Sequence, residues 1–228
     1  MRDLPRRRKD REARRPWDRR DGGRHAAPQA GPARFAGCRQ VLQIDAVSDS
    51  HQHRRAPSFE RRTPSSDDRP RLVCTECGFI EYQNPKVIVG SVVQADDAIL
   101  MCRRGIEPRA GFWTLPAGYL ELGETPEEGA MREAREEACA QIQIDALLAV
   151  FGIPRISQVQ LIFRARLAAP GIAAGPESRE VGLFTWDRIP WDEIAFPSVR
   201  WALDYFAETR GLAAFAAKLS PPTERGDM

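Results

Sequence analysis

The stretch GYLELGETPEEGAMREAREEACA, residues 118–140, organises the reading of the whole chain. Thr125 stands where a helix wants its N-cap, Pro126 suits the first helical position, and Glu128 falls where a capping box needs its acid. A helix is therefore predicted from Pro126 to about Ala138. At roughly 100° per residue, Glu133, Glu136 and Glu137 share one arc of about 100°, with Arg132 beside them. Ala130, Met131, Ala134 and Ala138 form a separate apolar stripe, mostly small enough to lie close on a sheet. Three carboxylates this close repel one another unless something positive sits among them. An all-oxygen ligand set suits a hard divalent cation, Mg²⁺ or Mn²⁺, and such ions keep waters and bind phosphates. Periodicity alone equally describes an acidic, solvent-facing helix laced with Glu–Arg pairs.

Outward from this helix the pattern turns to strands. Residues 86–94 (KVIVGSVVQ) are a β-branched run ending at the turn Ala95-Asp96-Asp97, and residues 98–103 are its expected hairpin partner. Residues 112–115 and 119–122 are short strand candidates around Pro116-Ala117-Gly118. Beyond the helix come strand candidates 142–151 and 159–167, a Pro/Gly/Ala loop over 168–176, a strand over 181–186 and a closing amphipathic helix over 198–209. Strands, one helix, more strands and a second helix predict an α+β fold, a sandwich built on a mixed sheet.

The amino-terminal portion differs in kind. Residues 1–70 hold 18 basic and 10 acidic residues, are rich in Arg, Pro, Asp and Ser, and show one hydrophobic island at residues 41–44. Such a segment buries too little to offset its ordering entropy and is expected to be disordered. A basic tail can bind nucleic-acid phosphates, but no aromatic interleaving accompanies it, so nucleic acid is not an expected partner. No apolar run approaches the length of a membrane span and no signal peptide opens the chain, which makes a reducing cytoplasm the expected compartment. The five cysteines are irregularly spaced, against a disulfide framework. All three histidines, His25, His51 and His53, precede the strand-rich body. Chemistry in that body proceeds without histidine, and Cys38 and Cys102 are isolated.

The spacing across residues 118–140 resembles the Nudix box, G-x5-E-x7-R-E-U-x-E-E-x-G-U, with U a bulky apolar residue. Gly118, Glu124, Arg132, Glu133, Glu136 and Glu137 fall on its fixed positions. Two departures close it: Cys139 stands at the box glycine, and small Ala134 and Ala140 stand at apolar positions. The glycine position normally takes a left-handed conformation, so Cys139 there is expected to cost stability rather than chemistry. The resemblance implies an α/β/α sandwich and metal-dependent hydrolysis of a nucleotide diphosphate. It implies metal ligation by Glu133, Glu136 and Glu137 and by the Ala117 carbonyl, with Arg132, Glu133 and Glu136 as the catalytic set. It also points to Glu177 or Glu180 as a further acid. A Nudix-fold module that senses a nucleotide without cutting it is the alternative function.

The resemblance extends over roughly residues 70–210. Tyr82-Gln83-Asn84-Pro85-Lys86, residues 113–121 (WTLPAGYLE) and Gly175-Pro176-Glu177-Ser178 are similar to a subgroup related to ADP-ribose pyrophosphatases, which includes enzymes hydrolysing FAD. It implies FAD and ADP-ribose as leading substrates, with NADH behind, and related enzymes are often homodimers. Phe112, Trp113 and Tyr119 could stack on a flavin or adenine, or could pack in a core. Arg104 and Glu177 are further candidate substrate contacts. Cys74-Thr75-Glu76-Cys77-Gly78 is half of a zinc knuckle, read as a small unit over residues 71–84 before a hydrolase domain over 85–210 and a tail over 211–228. Structural zinc needs four ligands, and the upstream region offers His51 and His53 in place of cysteines. Completion by these histidines, a metal-free knuckle, and a mis-set start or shifted frame over residues 1–66 all stay open.

Overall fold

The computed structural model describes residues 57–221, which divide after Glu81 into two compact units. The expectations for residues 41–44, Cys38, His51 and His53 lie outside the described residues.

In the first unit, β1 (Phe59–Arg62), β2 (Arg71–Cys74) and β3 (Ile80–Glu81) form an antiparallel sheet. Phe59 pairs with Cys74 and Arg62 with Arg71. The expectation of disorder through residue 70 therefore fails at β1. All four of its residues are exposed, so no apolar alternation announces a strand; backbone pairing to β2 makes it. Asp67 closes the intervening loop, accepting from Asp68 N at 2.8 Å and from Arg71 Nε at 2.7 Å. The Arg71 hydrogen bond holds the Asp67 carboxyl down at about 2. Cys74 is buried and Cys77 exposed, on either side of the turn into β3.

The second unit contains β4 (Lys86–Ala95), β5 (Ala98–Arg104), β6 (Trp113–Thr114), β7 (Ala117–Tyr119), α1 (Pro126–Ala138), β8 (Ile142–Ile153), β9 (Gln158–Leu167), β10 (Ser178–Thr185), α2 (Pro197–Thr209) and β11 (Lys218–Leu219). Its mixed sheet runs β10-β5-β4-β9-β8-β11, with β6 beside β5 and β7 beside β4. β4 lies parallel to β9 along nine paired positions, and β4 and β5 form the expected hairpin at Asp96-Asp97. Period-two alternation assigns the two faces. Val92, Ile99 and Met101 pack with Val199, Leu203 and Phe206 of α2. Their neighbours Val93, Leu100 and Cys102 pack with Ala134 and Ala138 of α1. One helix on each face of a mixed sheet is the predicted sandwich.

The short strand predicted at residues 119–122 lies instead at Ala117–Tyr119, where Gly90 faces Ala117. A Cβ on Gly90 would stand 2.5 Å from that of Ala117, so glycine sets how closely β7 approaches. Leu122, which looked like a strand residue, is fully exposed.

Helix α1 begins as read: Thr125 accepts from Glu128 N, and Glu128 returns the bond to Thr125 N at 2.8 Å. It ends at Cys139, with φ 49° and ψ 21°, whose N–H donates to Arg135 O at 3.0 Å while Ala140 N reaches Ala134 O at 3.1 Å. Glycine adopts that left-handed geometry without a Cβ penalty. Cys139→Gly should therefore raise stability by about 1 kcal/mol, read as a shift in urea midpoint at unchanged slope. A Cys139→Ala variant, which keeps the Cβ, should show no such gain.

Candidate active site

Three alanines fix α1 to the sheet. Ala130, Ala134 and Ala138 are wholly buried, and this places the next face of the helix under β7. Glu133 and Glu137 lie one turn apart on that face and are 8% and 7% exposed, whereas Glu136 stays in solvent. The wheel placed the three acids on one displayed arc; packing divides them into two buried and one exposed.

Backbone and side chains hold the buried pair. Ala117 N donates to Glu137 Oε2 at 3.1 Å. Pro116 O and Leu120 N bond to β4, so residue 117 between them turns its polar groups away from β4. In an extended strand the N–H and C=O of one residue point the same way, so the Ala117 carbonyl also faces the acid cluster. Gly118 admits the Glu133 carboxylate: a Cβ there would stand 2.3 Å from Glu133 Oε1.

Arg132 uses all five of its N–H groups on the protein. Nε and Nη2 grip Glu124 at 3.0 and 2.8 Å, Nη2 also reaches Tyr119 O at 2.9 Å, and Nη1 bonds Glu133 at 2.7 Å and Glu136 at 2.9 Å. With no donor left over, Arg132 holds the carboxylates in place and has no N–H to offer a substrate. Glu124 anchors it, and the hydrogen bond from Arg132, helped by Glu121 N, holds the Glu124 carboxyl down at about 2.

One guanidinium does not neutralise this site. Burial pushes the Glu137 carboxyl up to about 7, with the nearby Glu133 and Glu177 charges adding to it and the Ala117 N–H and Arg104 opposing. Burial likewise raises Glu133 against the pull of Arg132. Among the described residues, no three His, Cys, Asp or Glu side chains close around a point as a complete metal cage. The donor set suits an ion that completes its shell with waters and substrate oxygens.

The remaining candidates separate cleanly. Glu177 lies close enough to raise both buried carboxylates, while Glu180 pairs with Arg103 at 3.3 Å and is not part of the cluster. Trp113 is buried and meets the Phe184 ring edge-on at 4.8 Å, so it belongs to the core and offers no face to a substrate. Tyr119 is half exposed, with Lys86 Nζ 4.9 Å from its ring centre. Arg104 acts on Glu137 and stacks on Phe196 at 5.2 Å. Sequence reasoning missed how the loop before β10 docks on α1. Gly175 N donates to Glu137 O at 3.0 Å, and a Cβ on Gly175 would stand 1.6 Å from Glu136 O. The Gly-Pro pair marks the loop, but nothing local in it names the helix it meets.

The NUDIX domain family matches residues 84–205, and the Nudix N-terminal family, a zinc ribbon, matches residues 56–83. An ADP-ribose pyrophosphatase of Methanocaldococcus jannaschii is 29% identical over 134 residues, 57% of this chain and 78% of that protein. The NAD-capped RNA hydrolase NudC of Edwardsiella ictaluri is 29% identical over 119 residues, 52% of this chain, which spans about half (46%) of that relative. The crystal structure of a NUDIX hydrolase from Nitrosomonas europaea superposes with a TM-score of 0.68 at 43% identity, covering 72% of this chain and 94% of that one.

Proposed function

The chain belongs to the NUDIX domain family of hydrolases, and from that premise we propose that it cleaves the diphosphate bridge of a nucleoside diphosphate joined to a second group. The observation that carries this reading is the buried pair Glu133 and Glu137, short of positive charge beside an inward-facing Ala117 carbonyl. These oxygens fit Mg²⁺ or Mn²⁺, with Glu136 and Glu177 at the margin. Bound there, the ion would neutralise diphosphate charge and acidify water. Arg132 keeps Glu133 and Glu136 from moving with the substrate. Exposure of Glu136, held through one oxygen, supports it as the base that takes the proton of the attacking water. The water oxygen bonds one phosphorus, the bridging P–O bond breaks, and two phosphate monoesters leave.

ADP-ribose is the first substrate to test, because the Methanocaldococcus relative bears that name; FAD follows, then NADH. Tyr119, exposed beside the Arg132 anchor, is the candidate for stacking on a ring of the substrate. Initial rates of AMP formation from the three compounds, with Mg²⁺ or Mn²⁺ and with EDTA, test the reading. Metal-dependent release of AMP is expected; nucleotide binding without any release would favour the sensor instead.

Gly118→Ala probes the same geometry. Its methyl group would displace the Glu133 carboxylate, so kcat should fall about 100-fold with little change in melting temperature. A variant that keeps wild-type kcat would show that the close approach of Glu133 to residue 118 is unnecessary.

A further inference from the structure

The loop that precedes β10, residues 168–176 (AAPGIAAGP), has a composition that ordinarily leaves a loop loose. Backbone bonds fix it instead. Helix α1 ends with carbonyls that no further helical turn satisfies. Ala173 N donates to Ala138 O at 3.0 Å and Gly175 N to Glu137 O at 3.0 Å, so the loop supplies two of the missing donors. Ile172 packs beside Ala134 and Ala138 on the α1 side of the sheet. The fit at Gly175 is close: a Cβ there would stand 1.6 Å from Glu136 O.

The residues after Gly175 are equally constrained. Ser178 N donates to Gly175 O at 3.0 Å, with Pro176 and Glu177 in the turn it closes. Proline at the first central position of such a turn has its φ set in advance. Gly105 N, just past β5, donates to Glu177 O at 2.6 Å, and a Cβ on Gly105 would stand 2.8 Å from that oxygen. The Glu177 backbone is thus tied to α1 on one side and to β5 on the other. Its exposed side chain takes no hydrogen bond or ion pair among the described residues, yet its charge falls on Glu133 and Glu137. Backbone ties account for that placement. Glu180, three residues on, shows the contrast, because its carboxylate pairs with Arg103.

We propose that Ala173 and Gly175 are positioning residues for the metal: by capping α1 they lock the Glu177 carboxylate into the acid cluster before any ligand arrives. The inference rests on the metal-dependent hydrolase reading. It adds a mechanical link, in which the helix that carries Glu133 and Glu137 also sets where Glu177 stands. A carboxylate fixed in advance loses less entropy on meeting a cation than one on a free loop.

Two measurements on the full-length protein test this, and neither relies on turnover. Hydrogen exchange of the metal-free wild type should show the Ala173 and Gly175 amides protected alongside those of α1; exchange at the rate of an open loop would overturn the clamp. Mn²⁺ titration followed by EPR compares wild type with Glu177→Gln, Gly175→Ala and the double variant. Each single substitution should raise the Kd for Mn²⁺ about tenfold. The double variant should be no worse than Glu177→Gln alone, because Gly175 acts through Glu177. Ala173→Pro, which removes the donor to Ala138 O, replaces Gly175→Ala in the same cycle should that variant not fold. Losses that multiply in the double variant would mean that α1 itself is disturbed, and unchanged affinity in either single variant would mean that the clamp positions nothing; both outcomes overturn the inference. Wild type that binds Mn²⁺ with this coupling but releases no AMP from ADP-ribose would overturn the hydrolase reading and leave the clamp in place. Wild type that binds no Mn²⁺ would overturn both.

Discussion

Glu137→Gln should lower the turnover of the best substrate by about a thousandfold, because it removes a buried charge that the metal and diphosphate require. Loss of several kcal/mol of charge stabilisation in the transition state corresponds to about that factor. The substitution is close to isosteric, and an amide oxygen can still accept from Ala117 N, so packing of α1 under β7 is kept. Activity should therefore collapse without unfolding, and the metal concentration for half-maximal rate should rise. Glu124→Gln disturbs the site one step removed, through Arg132, and its effect should be smaller. Steady-state rates across a Mg²⁺ titration separate the two. Retention of a tenth or more of wild-type turnover by Glu137→Gln would place the essential charge elsewhere.

The same substitution should stabilise the metal-free protein at alkaline pH. Burial pushes Glu137 up to about 7 from an ordinary carboxylate value of 4.5, so the folded chain holds this proton more tightly than the unfolded chain. The associated stability is complete below about 4.5 and is lost as pH rises through about 7. Above that, the folded state carries a buried charge worth about 3 kcal/mol of destabilisation on the ordinary conversion of pKa shift to free energy. Glu133 is raised for the same reason and acts in the same direction. Glu124 acts oppositely: its carboxyl is held at about 2, so its contribution is present above about 4.5 and is lost as pH falls toward 2. Denaturant unfolding in EDTA should show wild type losing stability relative to Glu137→Gln between pH 5 and 8. Added Mg²⁺ should recover the loss in wild type alone. Parallel stability curves for the two proteins would mean that Glu137 is not buried as described.

Much of this site could be read in the amino-acid order because it depends on local spacing. The capping box at Thr125 and Glu128 and the alanine stripe follow from residues within one or two turns, and the left-handed Cys139 from its place at the glycine of the motif it resembles. The order of periodic segments gave an α+β sandwich on a mixed sheet, and the resemblance across residues 118–140 supplied its α/β/α layering. Long-range contacts could not be read this way. Whether Glu133 or Glu136 is buried depends on where β7 and the loop at Gly175 lie, and the helical wheel holds no record of either. Trp113 and Tyr119 look equivalent as aromatic residues flanking a turn, yet pairing of β6 with β5 buries the first and β7 exposes the second. β1 escaped notice because its four exposed residues carry no alternation and its partner lies beyond a loop closed by Asp67. Arg104 was a candidate substrate contact in the sequence; its position over Phe196 and near Glu137 is a property of the assembled sheet.

Cleavage of ADP-ribose in ¹⁸O-labelled water with Mg²⁺, followed by mass spectrometry of the products, tests the central claim most directly. The account predicts AMP and ribose 5-phosphate in equal amounts, one of the two carrying a single ¹⁸O, and neither formed in EDTA or by Glu137→Gln. Nucleotide that binds and is recovered intact, or products formed equally well without metal, would contradict it.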